Sequence, residues 1–277
     1  MEEYYQDNRT IAGIKAGSSI FQDASCFDSV AGMIAPLTAQ ADQIFFVVSA
    51  LKGETDRTIE EIAGAEFEVL NAALNGHMSP AAEKYNRADV AARLVEPENH
   101  SVRQLTAALR RLGIDAIGLQ HGPDYPLVGV DNGNYLRAEI DIEESRRLRP
   151  RYDAQVVVVP GFGVRDRCTG RNSSDWTLAQ IGAVYGLPEI VFWKKTGEGD
   201  TAGYLKDPKH PQVGIYNTIP REVVRERGAK VLDTRVLDTF SGPIRITGAG
   251  QLTGGTVILP YQQKAVEQSI YTSAAAK

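Results

Sequence analysis

VVVVPGFGVRDRCTGRNSSDWTLAQIGAVYG, residues 156–186, reads as a strand, a turn, a loop and a helix in succession. Four consecutive valines are β-branched throughout and too short for a helix. They are expected to form a strand buried on both faces, as in a parallel sheet. Pro160-Gly161-Phe162-Gly163 breaks the strand, and a polar loop with Arg165, Arg167 and Arg171 follows. Ser173 or Ser174 is placed to cap a helix over Asp175–Tyr185, which Gly186-Leu187-Pro188 closes. In an open α/β sheet, a strand followed by a glycine turn and a helix N-terminus builds an anion or substrate site.

Outward from this stretch the pattern repeats. Ile11–Gly17 is a short apolar strand carrying Lys15, followed by Ser18-Ser19. Phe27, Val30, Ala31, Ile34 and Leu37 recur at helical spacing, predicting a helix over Ser25–Gln40. Lys15 is either a solvated strand-end lysine or a cation aimed at phosphate oxygens. Ile44–Leu51 is a second buried strand, ending in a polar loop with Ser49 and Thr55. Residues 57–95 read as mostly helical, broken at Gly76 and Pro80. Pro97 then opens a further helix that Gly113 closes, placing Glu98 at a helix start, where the dipole favours a carboxylate. Ile114–Leu119 is a third strand, and Asn132-Gly133 predicts a hairpin within Val128–Asp141. Glu189–Trp193 is a strand, and the glycine- and proline-rich stretch after it is a long functional loop or lid. Arg221–Gly228 and Val231–Phe240 are expected to be helical, and Ile244–Thr247 and Thr256–Leu259 are the last strands. The alternation predicts a three-layer α/β/α sandwich with a mainly parallel sheet in a single domain over residues 1–277.

Bulk properties narrow the function. The 277 residues carry a net charge of -5, which argues against a partner held through nucleic-acid phosphates. The 2 cysteines, Cys26 and Cys168, make neither a disulfide framework nor a zinc spacing, and the 4 histidines show no metal-ligand spacing. The N-terminus is polar and acidic, unlike a signal peptide, and no apolar run approaches membrane-spanning length, so a cytoplasmic protein is expected. Gly161-Phe162-Gly163 fails as a dinucleotide fingerprint because Asp166 stands where the third glycine belongs. Neither a GxxxxGK[ST] loop nor a GxSxG elbow occurs.

Several segments, taken in order, resemble the amino-acid kinase superfamily, and most of all the catalytic domain of aspartate kinases. IKAGSS at 14–19 is similar to that family's KFGGTS, FFVVSALKGETDR at 45–57 to VVVVSAMxGxTD, and PENHS at 97–101 to GExxS. TGRNSSDWTLAQIG at 169–182 is similar to LGRGGSDxTAAxxA, DPK at 207–209 to the DPR of the nucleotide loop, and GAKVLDTR at 228–235 to GAKVLHPR. GPIRIT and GGTVI resemble the last two strands.

The resemblance implies phosphorylation of an amino-acid carboxylate by ATP with Mg2+, the β-carboxylate of aspartate or of a close analogue, giving an acyl phosphate. It implies that Lys15 lies along the transferring phosphoryl group, and that Gly17, Ser18 and Ser19 cradle phosphate. Lys230 is a second cation, with Tyr204 and Lys209 on the nucleotide. Arg171 clamps the substrate's α-carboxylate, Glu98 and Asp175 face its ammonium, and Ser49, Thr55, Phe162 and Ser174 line the same pocket. The catalytic set is thus Lys15, Asp175 and Lys230, with no protein-held metal. Residues 10–120 and 150–180 form an acceptor-side lobe and 185–262 a nucleotide-side lobe. The expected partners are a small amino acid and a second copy in a homodimer, with no nucleic acid and no membrane. No regulatory domain is expected to follow.

The sequence also departs from the family. The second glycine after the lysine is Ser18, the histidine-proline pair is Asp233-Thr234, and WTDVDG is replaced by Trp193-Lys194-Lys195-Thr196-Gly197 with added residues before Tyr204. The altered loop supports one alternative, a kinase-fold binding or regulatory protein without turnover, and the breadth of the superfamily leaves a second, a kinase for a different small acceptor such as a hydroxyl, phosphate or carbamate group.

Overall fold

The computed structural model describes residues 9–195, 204–206, 215–226 and 232–261. Among the described residues eight strands form one sheet: β1 (Ile11–Ala16), β2 (Gln43–Val48), β3 (Ala116–Gly118), β6 (Val156–Pro160), β9 (Ile190–Trp193), β12 (Thr218–Pro220), β13 (Ile244–Thr247) and β14 (Thr256–Leu259). Their order is β12-β14-β13-β9-β1-β2-β6-β3, and every neighbouring pair is parallel except β13 with β14. Three two-stranded ribbons lie outside it: β4 (Val128–Gly129) with β5 (Ile140–Asp141), β7 (Gly163–Val164) with β8 (Arg167–Cys168), and β10 (Leu205–Lys206) with β11 (Ile215–Tyr216).

The valine run is β6, buried at all 5 positions, and β2 is buried at all 6. Successive side chains point to opposite faces and so feed two cores. Ile14, Phe46, Val48, Val156 and Val158 pack under α1 (Cys26–Ile34) and α4 (Ala88–Arg111). Phe45, Val47, Val157 and Val159 pack under α6 (Ser174–Tyr185) and α8 (Arg235–Thr239). A third cluster joins α2 (Glu54–Ala63), α3 (Phe67–Leu74) and α4 to Phe162 and Cys168 beyond the carboxyl end of β6. The three-layer expectation therefore holds.

Four local expectations change. The helix predicted over 25–40 stops at Ile34, and a 3-10 turn carries Ala35–Ala39, because Pro36 lacks the N–H an α-helix needs. Pro97 does not open a helix but lies inside the 24-residue α4. Its missing hydrogen bond is outweighed by burial of Val90, Ala91 and Leu94 before it and Val102, Leu105 and Leu109 after it. Asn132-Gly133 does not close a two-residue hairpin. β4 and β5 do pair, but residues 130–139 form a wide loop in which the Asn132 and Asn134 side chains accept hydrogen bonds from Asn134, Leu136 and Arg137 backbone N–H groups. The described part of the last predicted helix is only α8, which begins after Asp233 and Thr234. The helix predicted over 221–228 is α7 (Arg221–Glu226). No helix among the described residues is long and apolar enough to cross a membrane.

Gly161 seats α6 on the sheet. A Cβ there would stand 2.4 Å from Ser174 Cβ and 2.9 Å from the Val48 carbonyl oxygen. Gly161→Ala is accordingly expected to cost about 1–3 kcal/mol through overpacking against backbone. Urea unfolding of variant and parent measures it, and an unchanged midpoint contradicts this packing.

Candidate active site

At the carboxyl edge of the sheet a cavity of ≈ 820 Å³ opens between β1, β2, the start of α2, the Gly170–Asp175 loop, Lys194 and the entry to α8. Lys15 is the next-to-last residue of β1, in register with Val47 and Phe192. Its ammonium reaches over the following turn, 3.0 Å from where a Cβ on Gly17 would stand, so a side chain there would crowd it. Lys15 is buried, and its Nζ lies 2.6 Å from Asp175 Oδ1. Lys194, just beyond β9, approaches the same carboxylate from the neighbouring strand, at 2.8 Å from Oδ2 and 3.1 Å from Oδ1. Burial opposes ionisation of Asp175, but the Lys15 and Lys194 ammoniums outweigh it and hold the carboxyl below its ordinary range. Burial, helped by the Lys15 charge, lowers the Lys194 ammonium from its ordinary value despite Asp175.

Asp175 is placed by the loop ahead of α6. Thr169 Oγ1 donates to Ser173 Oγ at 2.7 Å, and Ser173 Oγ donates to the Gly170 carbonyl at 2.7 Å. Ser173 therefore stabilises the loop rather than capping α6 with its side chain. Thr177 Oγ1 donates to the Gly161 carbonyl at 2.6 Å, and Ser49 and Ser174 share a hydroxyl hydrogen bond at 3.0 Å. Asn172 takes a left-handed φ of 61°, which turns the chain into the helix.

Arg171 is anchored through its backbone N–H on the Leu74 carbonyl at 3.0 Å. Its guanidinium donates to Asp56 Oδ1 at 2.6 Å and Asn71 Oδ1 at 3.0 Å. Glu98 does not stand at a helix end. It sits mid-way along α4, where the backbone N–H of Gly161 donates to its Oε2. Burial pushes its carboxyl up to about 7, against the Gly161 hydrogen bond and the Lys15 charge.

Of the residues singled out from sequence, Lys15, Gly17, Ser18, Ser19, Ser49, Thr55, Glu98, Phe162, Arg171, Ser174 and Asp175 line this one cavity. Tyr204 is not among its described lining residues and lies instead near Gly254. Lys209 and Lys230 lie outside the described residues. Sequence reasoning left Lys194, Arg137 and the Asp233–Arg235 pair without a role, yet all four residues line the cavity. For Lys194 a signal existed: a lysine directly after a buried strand, at the same sheet edge as Lys15.

A profile of the Amino acid kinase family matches residues 14–238, a span that begins one residue before Lys15 and ends within α8. The chain belongs to the amino acid kinase family. It is 26% identical over 275 residues to the bifunctional aspartokinase/homoserine dehydrogenase 2 of Escherichia coli, covering 82% of this chain and 32% of that protein. It is 22% identical to an aspartate kinase of Stutzerimonas stutzeri, covering 94% of this chain and 61% of that one. The chain thus spans about a third to three fifths of these relatives' lengths. Among solved structures, E. coli aspartokinase III in complex with aspartate and ADP superposes with a TM-score of 0.66 at 18% identity, covering 91% of this chain and 65% of that one.

Glu98 makes a pH-dependent contribution to stability. An unfolded glutamate ionises near 4.5, whereas Glu98 in the folded chain ionises only near 7. Folding therefore retains a proton that unfolding releases. The stabilisation is complete below pH 4.5 and is lost as pH rises to 7. Glu98→Gln is expected to flatten this decline, which amounts to up to about 3 kcal/mol. Denaturant midpoints measured from pH 5 to 8 test it, and parallel profiles for variant and parent refute it.

Proposed function

We propose that this chain is an ATP-dependent kinase that phosphorylates a small carboxylate, the β-carboxylate of aspartate or of a close analogue, to give an acyl phosphate. The observation that carries the reading is the convergence of Lys15, the Gly17-Ser18-Ser19 turn and Arg171 on one cavity. In this reading the described residues within 10–120 and 150–180 belong to the acceptor-side lobe and those within 185–262 to the nucleotide-side lobe. A cytoplasmic homodimer is the accompanying expectation by family resemblance.

The chemistry needs little beyond placement and charge neutralisation. A carboxylate oxygen attacks the γ-phosphorus and a new P–O bond forms. The bond from that phosphorus to the β–γ bridging oxygen breaks, and its electron pair leaves on ADP. A carboxylate is already ionised at neutral pH, so no proton has to be removed. Lys15 neutralises the phosphoryl oxygens, and the Gly17-Ser18-Ser19 backbone receives phosphate. Arg171 suits an α-carboxylate because a guanidinium donates two parallel hydrogen bonds, for which it exchanges Asp56. Among the described residues no three acidic, histidine or cysteine side chains form a metal cluster. When bound, magnesium supplies charge neutralisation across the phosphates.

One observation favours a second reading of the acceptor. Both oxygens of Asp175 are occupied by lysine ammoniums, so the carboxylate the resemblance assigns to a substrate ammonium is already paired. An acceptor acid without an amino group fits that arrangement.

ADP release measured across amino acids and their deaminated counterparts, with hydroxylamine trapping, tests both. A hydroxamate formed from aspartate supports the first reading, and one formed only from amine-free acids supports the second. Absence of ADP formation with every acid refutes the carboxylate-kinase assignment. Lys15→Ala is expected to lower kcat by at least about a hundredfold in a folded protein, the scale of losing one positioned transition-state donor. Arg171→Ala is expected to raise KM for the acceptor about tenfold or more while leaving KM for ATP within about twofold, as befits a lost charged hydrogen bond to one ligand only.

A further inference from the structure

We propose that Lys194 is a phosphoryl-binding cation of this site, partnered with Lys15 across Asp175. The proposal rests on the phosphotransferase reading and assigns a substrate contact to a residue at which the chain departs from its family's loop sequence.

Three independent observations lead to it. The first is stoichiometry: a single buried carboxylate serves two ammoniums. Lys15 Nζ lies 2.6 Å from Asp175 Oδ1, and Lys194 Nζ lies 3.1 Å from the same oxygen and 2.8 Å from the other. One of the two positive charges is left over. Asp233 is committed to Arg235, whose Nη2 lies 2.6 Å from Asp233 Oδ2. Glu98, the remaining carboxyl near Lys15, is pushed by burial up to about 7 and offsets that surplus only in part. Asp175 offsets one of these like charges, and with the Lys194 side chain only 15% exposed a further anion between them relieves the remaining repulsion.

The second observation is register. Ala16 pairs with Trp193, so Lys194 follows its strand at the same level at which Gly17 follows β1. Its backbone N–H donates to the Thr247 carbonyl at 3.0 Å, which ties the base of the side chain to the next strand of the sheet. Lys194 therefore stands beside the small-residue turn on which Lys15 also lies, and it is fixed there by strand pairing rather than by a free loop.

The third is access. Lys15, Gly17, Ser18, Ser19, Asp175 and Lys194 all line the same cavity. Because both ammoniums touch Asp175 Oδ1, they are close enough for one phosphoryl group to bridge them, with the shared carboxylate setting their separation. The chemical class of ligand is a phosphate ester or anhydride with at least one doubly charged terminal group. The competing explanation is that Lys194 merely neutralises Asp175. A carboxylate accepts from two ammoniums but cancels only one positive charge, and Lys15 already supplies that one at shorter range.

Binding of inorganic tripolyphosphate to the full chain, measured by titration calorimetry in the parent, Lys194→Gln, Lys194→Arg and Lys15→Gln, tests the proposal without need of an acceptor or an adenine ring. Lys194→Gln is expected to weaken binding at least tenfold, comparable to Lys15→Gln, whereas Lys194→Arg is expected to stay within about threefold of the parent, since it keeps the charge. If Lys194→Gln does not fold by circular dichroism, Lys194→Thr carries the same expectation. Equal affinity in a folded uncharged variant overturns the proposal, as does a parent that does not bind tripolyphosphate. Weakened binding without hydroxamate from any acid leaves Lys194 as an anion contact and removes the carboxylate-kinase reading instead.

Discussion

The buried carboxylate of Asp175, held between two ammoniums, is the constraint around which the cavity is arranged. A charge this far from water persists only with close opposite charges and good geometry, and removing one partner of such a pair is costly. Much of the nearby structure secures that geometry. Gly161 lets the start of α6 approach the sheet, Thr177 fastens the helix to the Gly161 carbonyl, and Ser49 ties Ser174 to the end of β2. Asp175 also lies in the first turn of a 12-residue helix, where the dipole favours negative charge.

The ion pairs at the cavity's outer wall differ in kind. Asp56, which meets Arg171, is 56% exposed, so this pair forgoes little water and adds little stability. A ligand carboxylate can take its place at small cost. Asp175 is buried, and its partners are not so readily exchanged. The cavity thus joins a fixed charge cluster at the sheet edge to a replaceable one between α2 and α3. That division suits a site in which phosphoryl groups meet a rigid frame and the acceptor is sorted by the outer wall.

Much of this could be read from residues alone because the decisive strands are buried on both faces. Val156–Val159 and Ile44–Val48 leave little alternative to a parallel sheet, and Gly186 ends α6 in the left-handed conformation its position predicts. The ordered motifs located the residues from Lys15 to Asp175 that share the cavity. Local rules failed where distant packing overrode them. Pro97 reads as a helix start, but apolar residues on both sides of it bury together and carry α4 through. Asn132-Gly133 reads as a tight hairpin, but asparagine side chains organise a wider loop there. Lys194 was visible as a residue but not as a partner of Lys15, since only the pairing of β1 with β9 makes them neighbours.

That strand pairing also orders events during biosynthesis. β1 lies between β2, which follows it closely in sequence, and β9, which is translated after most of the described chain. One side of β1 can be covered early, while the other must wait for β9 as an exposed, hydrogen-bond-hungry edge. Contacts of such sequence separation raise contact order and slow folding, because a long loop must close before it is rewarded. A nascent chain paused before Ile190 carries Lys15 and Asp175 but not Lys194, so the charge cluster around Asp175 is completed only once β9 has been made and paired.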